Sequence, residues 1–156
     1  MTCSLSCGQT RNVDLPRAQS TVSQFIAQNC QNVERCEIPM GHVLDFPWDK
    51  MYFFDYRTEN EDISRALGTV YVERTPEFSR KWIFVLGRKV VRVEEYPIVE
   101  IDRPLSDQDV DFEISDFEEG YGTFSREAIF EVEPINLENG RFFRLKCINC
   151  LRVKEK

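Results

Sequence analysis

Trp82-Ile83-Phe84-Val85-Leu86-Gly87-Arg88-Lys89-Val90-Val91-Arg92-Val93 is two strand-like runs around a glycine-led break, and its reading decides the fold class. β-Branched and aromatic side chains suit a pleated, half-buried surface, and a short break containing Gly between two such runs is hairpin chemistry. The apolar run Trp82 to Leu86 has strand length, far short of the roughly 18 to 20 residues a membrane-spanning helix needs. No transmembrane span is expected.

Upstream, Lys50 to Tyr56 reads as a central strand because Met51-Tyr52-Phe53-Phe54 is almost unbroken. Thr58-Glu59-Asn60-Glu61 has a capping-box pattern, Ile63, Ala66 and Leu67 give a short helix its apolar face, and Gly68 is placed to stop it. Glu37 to Val43 offers a short strand, confined to an edge by Pro39. Pro16 suits a first helical turn, and Ala18, Val22, Phe25, Ile26 and Asn29 recur at helical steps, so a helix is expected over Leu15 to Gln28.

Downstream, Val70 to Val72 reads as a short strand, and Pro97 and Pro104 bracket an irregular passage. Val110, Phe112 and Ile114 alternate with polar residues, as do Ala128, Phe130 and Val132. Asn139-Gly140 is a hairpin signal leading into Arg141 to Cys147, and a two-residue turn there sets Glu133 opposite Lys146. These elements predict an α+β fold, a mostly antiparallel sheet with an N-terminal helix and one short helix packed on it. Residues 1–14 are expected to be a flexible tail and 15–156 a single domain.

The chain has 156 residues, 42% hydrophobic and 12% aromatic, enough to bury a core. Its 27 acidic and 20 basic side chains leave a formal charge of −7, which repels phosphate backbones and argues against nucleic acid as a partner. A solvated surface or a cationic protein partner fits that sign. The acid concentrates in Glu100 to Glu119, where nine carboxylates face Arg103 alone. Asp107, Asp109, Asp111 and Glu113 occupy every second position, a row on one face of a strand. Such a row either protects an edge strand from aggregation or docks a basic partner, with Asp116 and an aromatic such as Tyr96, Phe117 or Tyr121 completing the surface. Asp107, Asp109, Asp111, Ile114 and Glu118 also match an EF-hand loop, but Phe112 stands where that loop needs Gly, and no metal is expected.

His42 is the only histidine, and no nucleophile elbow, phosphate loop, dinucleotide fingerprint or His-Glu-x-x-His accompanies it. No cofactor is expected and the chain is read as non-enzymatic. A carboxylate-dependent hydrolase is the alternative, because paired acids assembled by a fold leave no local pattern.

Cysteines stand at 3, 7, 30, 36, 147 and 150. In an exported domain Cys30, Cys36, Cys147 and Cys150 read as two disulfides with three possible pairings; the local one closes only small loops, and the crossed ones would tie the N-terminal helix to the last strand. Zinc fits less well, because the spacing from Cys30 to Cys36 is too long for a ligand pair. A thioredoxin-like site needs a helix after Cys147-x-x-Cys150, and six residues leave no room for one. Ser4-Leu5-Ser6-Cys7-Gly8 has the small-residue pattern that precedes a lipidated cysteine, so Cys7 is a candidate membrane tether.

Trp48-Asp49-Lys50-Met51-Tyr52-Phe53-Phe54, followed by Ile63-Ser64-Arg65-Ala66-Leu67-Gly68, resembles a pattern in small uncharacterised bacterial lipoproteins across residues 15–95. The resemblance implies an exported, membrane-tethered, non-enzymatic protein, periplasmic or anchored to the outer membrane, and supplies no catalytic residues. Trp48 and Asp49 are expected to be structural, Trp packing the core edge and Asp capping a turn. Three functions follow as expectations: an immunity or inhibitor protein docking a cationic partner, a carboxylate-dependent hydrolase, or a structural envelope lipoprotein. A cytoplasmic location is the alternative to export.

Overall fold

The computed structural model describes residues 16–72, 79–97, 109–113 and 121–150. The expected tail at 1–14 with Cys7, together with Asp107, Ile114, Asp116 and Phe117, lies outside the described residues. The fold is α+β, as expected, and its strands are divided between two four-stranded sheets.

Helix α1 spans Ala18–Asn29, with Ala18, Val22, Ser23 and Ile26 buried along one stripe. It begins later than the sequence suggests, and Pro16 lies before the cap residue Arg17. The cause is distant in sequence: both Glu94 carboxylate oxygens accept from the Ala18 N–H at 3.0 Å, so the helix starts where that carboxylate meets it. Strand β1, Glu37–Pro39, is an edge strand and runs directly into a one-turn helix α2, Met40–Val43. Strand β2, Lys50–Phe54, lies centrally between neighbours on both sides.

Helix α3, Asn60–Leu67, stops at Gly68, whose φ of 70° is the left-handed conformation glycine adopts without a Cβ penalty. The capping box does not form. Glu59 holds the cap position without a side-chain cap bond, and its carbonyl accepts from Ile63 N at 3.1 Å. The preceding turn is closed instead by Asp55, whose carbonyl accepts from Thr58 N at 3.1 Å and whose carboxylate accepts from Arg57 N at 3.0 Å. Val70 to Val72 is not a strand either. The Tyr71 N–H, which a ladder would need, is donated to Ser64 Oγ at 2.8 Å, and the Tyr71 hydroxyl donates to Glu95 at 2.7 Å.

Strands β3, Ser79–Leu86, and β4, Lys89–Pro97, form the expected hairpin at greater length, with a register shift at Phe84/Val85. The remaining strands are β5, Val110–Phe112; β6, Tyr121–Ser125; β7, Ile129–Leu137; and β8, Gly140–Cys147. One sheet has the order β4-β3-β2-β6 and the other β1-β7-β8-β5. Every described pairing is antiparallel except β5 with β8. In the β7–β8 hairpin Leu137 faces Gly140, so Glu138-Asn139 makes the turn in place of Asn139-Gly140, and Glu133 faces Arg144 while Glu131 faces Lys146. Both registers bury the same side chains, since they differ by two residues, and alternation alone could not choose between them. The far end of the hairpin chooses: Ile148 N and Asn149 Oδ1 bond across to Ile129 at 2.9 and 2.7 Å.

The two sheets and α1 enclose one core. Ile38, Phe130, Phe143, Leu145, Val110 and Phe112 come from one sheet and Met51, Phe53, Trp82, Phe84, Tyr96 and Phe124 from the other. Phe112 is the hub, its ring centroid 5.1 Å from Phe53, 4.9 Å from Trp82, 5.5 Å from Phe124 and 5.3 Å from Phe130. A smaller cluster, Phe54, Ile63, Tyr71 and Ile83, seats α3 on the outer face of the β4-β3-β2-β6 sheet. This explains why β3 is buried on both faces. Disulfides join Cys30 to Cys36 and Cys147 to Cys150, the local one of the three pairings, with Cα–Cα separations of 5.4 and 5.7 Å.

Candidate functional site

Strand β5 carries the described part of the acidic segment. It lies at a sheet edge, parallel to β8, and its short ladder is extended at both ends: Phe143 N donates to Asp109 O at 3.0 Å and Glu113 N to Leu145 O at 2.8 Å. Val110 and Phe112 enter the core, and that burial fixes the direction of the intervening acids.

The three described acids are not equivalent. Asp109 is buried. Asp111 is half-buried, lies 3.4 Å from Arg80 Nη1, accepts from Phe112 N at 2.9 Å and sits opposite Arg144 on β8. Glu113 is exposed. Arg80 itself is almost wholly buried; its Nη1 donates to Val110 O at 2.7 Å and its Nη2 to Gln19 Oε1 at 3.5 Å. A buried guanidinium demands acceptors for its N–H groups, and β5 and α1 supply them. Tyr121 is elsewhere. It begins β6 in the other sheet, with its ring 5.1 Å from Phe54 and 6.2 Å from Tyr52 on that sheet's outer face. The structure therefore brings Asp109, Asp111 and Glu113 together and separates Tyr121 from them across the core.

The outer face beside this edge carries charges of both signs. Glu133, Arg144 and Asp111 follow one another across β7, β8 and β5. Glu37 and Glu131 stand directly opposite each other, an unfavourable pairing that Arg35 relieves by reaching Glu131 at 2.8 Å and Glu37 at 3.7 Å. Arg80, Arg144 and Lys146 are site residues that motif reading missed. Strand alternation carried a signal for one of them, because Arg80 shares a face with Trp82 and Phe84.

A second polar cluster resembles catalytic machinery more closely, and its capacity is already used. Glu94 is buried, caps α1, lies 3.1 Å from Arg92 and accepts from the Tyr96 hydroxyl at 2.9 Å. Tyr96 also accepts from Gln19 N at 3.1 Å, and the Arg17 guanidinium lies 4.1 Å over its ring. Burial pushes the Tyr96 phenol well above its ordinary range, and the Glu94 carboxylate pushes it the same way.

The Trp-Asp pair lies at the head of β2. Trp48 is buried, stacks edge-on with Phe84 at 5.5 Å and donates Nε1 to Leu44 O at 3.4 Å. Asp49 accepts from Gly87 N at 2.9 Å in the β3–β4 turn. Arg126 lies 5.3 Å over Trp48 and donates to the carbonyls of Phe46 and Trp48 at 3.1 Å and of Gly41 at 2.9 Å. A Cβ on Gly41 would stand 2.5 Å from Arg126 O, so only glycine fits beneath that clasp. His42 is exposed on α2. Among the described residues no group of three or more His, Cys, Asp or Glu is placed to hold a metal ion. No helix among them is long and apolar enough to cross a membrane.

The two disulfides fit an exported chain that folds outside the reducing cytoplasm. Comparison with protein-family models, with curated proteins and with solved structures finds no match to this chain.

Proposed function

We propose that the chain is an exported, non-enzymatic binding protein whose acidic β5 edge docks a basic protein partner. One observation carries the reading: Glu113 is exposed at a sheet edge, inside a segment with nine acids and one arginine, on a chain of charge −7. An edge strand offers unpaired backbone groups, and the acid-rich segment that contains it favours cationic partners over a second copy of the same edge. The non-enzymatic part is supported by what the buried charges do. Glu94 caps a helix and Arg80 holds β5, so these groups are committed to the fold. An immunity or inhibitor role, with the acids laid over a cationic active site, is the most concrete form of this proposal. Tethering through Cys7 would place it at a membrane surface.

A lysine-rich polypeptide is the probe. Its binding to wild type, followed by calorimetry at low and raised salt, should weaken steeply with salt. Asp107→Asn/Glu113→Gln/Asp116→Asn should lower the affinity by about ten-fold, the effect of losing about 1.4 kcal/mol. The charge-matched control Glu59→Gln/Glu61→Gln/Asp62→Asn, at exposed positions in and just before α3, should leave it nearly unchanged. Equal losses from both triples would mean that net charge alone attracts the probe, and the docking edge would have to be abandoned.

A further inference from the structure

The disulfide that follows β8 differs from the other in what holds it. We propose that Cys147–Cys150 is a thiol–disulfide exchange site, opened by a dithiol reductant and re-formed by the disulfide form of that same partner, while the fold stays intact. The proposal is independent of the docking edge.

Cys150 is exposed, so its sulfur is open to an incoming thiolate, while Cys147 is half-buried against the core. The turn between them does not depend on the crosslink. Asn149 Oδ1 accepts from Ile129 N at 2.7 Å, Asn149 Nδ2 donates to Glu127 O at 2.9 Å, and Ile148 N donates to Ile129 O at 2.9 Å. These three bonds stitch the turn to the start of β7 without help from sulfur. The sequence separation is only 3, so the crosslink removes little freedom from the unfolded chain. Coupling between a crosslink and a fold is reciprocal: a disulfide that adds little to the fold receives little protection from it. Cys30–Cys36 is placed differently. It ties the end of α1 to the residue before β1, both of its cysteines are half-buried, and Cys30 packs on the core.

The exchange balances without another participant. One thiolate of the reductant attacks Cys150 Sγ, the Cys147–Cys150 bond breaks, and its electron pair leaves on Cys147, which takes a proton. Asn149 Oδ1 lies 3.5 Å from that sulfur, in place to accept the new S–H. The second thiolate of the reductant then attacks its own mixed disulfide and releases Cys150, leaving the reductant as a disulfide and the protein as a dithiol.

Folded wild-type protein is titrated with dithiothreitol, trapped by alkylation and read by peptide mass spectrometry. Cys147 and Cys150 should be labelled at a reductant level about ten-fold below that needed for Cys30 and Cys36, with the circular dichroism unchanged. Cys147→Ser/Cys150→Ser should fold and melt within about 5 °C of wild type. Simultaneous labelling of both pairs, labelling only as the fold melts, or a double variant that fails to fold would each overturn the proposal.

Discussion

Strands β4 and β5 are both sheet edges and both carry acids, yet they treat a carboxylate in opposite ways. On β4, Glu94 turns inward and is matched by a helix N-terminus, an arginine and a phenol. Along β5 and the residue on either side of it the inward positions are apolar, and the acids grade from buried Asp109 through half-buried Asp111 to exposed Glu113. The difference teaches what burying Glu94 requires: backbone and cationic donors converge on its carboxylate and offset the desolvation cost. The same residue type is a structural bolt at Glu94 and an exposed side chain at Glu113.

The hardest blow to this contrast falls on the inward side of β5. Phe112→Ala should destabilise by about 4 kcal/mol, because the hub ring touches aromatic residues of both sheets. Denaturant unfolding measures it, and a loss comparable to that of a surface substitution would mean that β5 is peripheral to the core. Next comes Glu94→Ala, expected to cost about 3 kcal/mol by leaving Arg92 and the Ala18 N–H without their carboxylate.

Tyr96→Phe should cost about 1 to 2 kcal/mol by removing the bonds to Glu94 and Gln19. It also tests the alkaline limb. The folded state holds the Tyr96 proton more tightly than the unfolded chain does, so its contribution is complete below the unfolded value, about pH 10, and declines as pH rises further. The variant should lose less stability than wild type on passing above about pH 10. Parallel decline of the two proteins would remove Tyr96 from the explanation. Smallest of all, Glu113→Gln should change stability by less than about 0.5 kcal/mol, since Glu113 is exposed. A larger loss would show that the outward acid is also structural.

Much of this architecture was readable from local chemistry. The β3–β4 hairpin, the central place of β2, the edge place of Pro39 and the stop at Gly68 follow from neighbours in sequence. What escaped is long-range. Glu94 sets the start of α1 from the far side of the chain, and Arg80 reaches β5, which no periodicity reports. Val70 to Val72 has the composition of a strand, but Ser64 takes the N–H that a ladder would need. Within the candidate site, the alternation that turns Val110 and Phe112 inward was legible in the residues. The unequal exposure of Asp109, Asp111 and Glu113 was not, because it depends on tertiary neighbours such as Arg80 beside Asp111.

The division of strands between sheets has a consequence for biogenesis. The hairpin of β3 and β4, with β2 against it, can assemble as soon as those residues emerge from synthesis or export. The β1-β7-β8-β5 sheet cannot, because β1 waits for β7 and β5 for β8. Half of the molecule therefore closes only when β8 arrives, and until then the apolar sides of Ile38, Val110 and Phe112 have no sheet to join. A translocating chain of this design would cover its stickiest surface last, which makes the interval before β8 the point where a chaperone would be of most use.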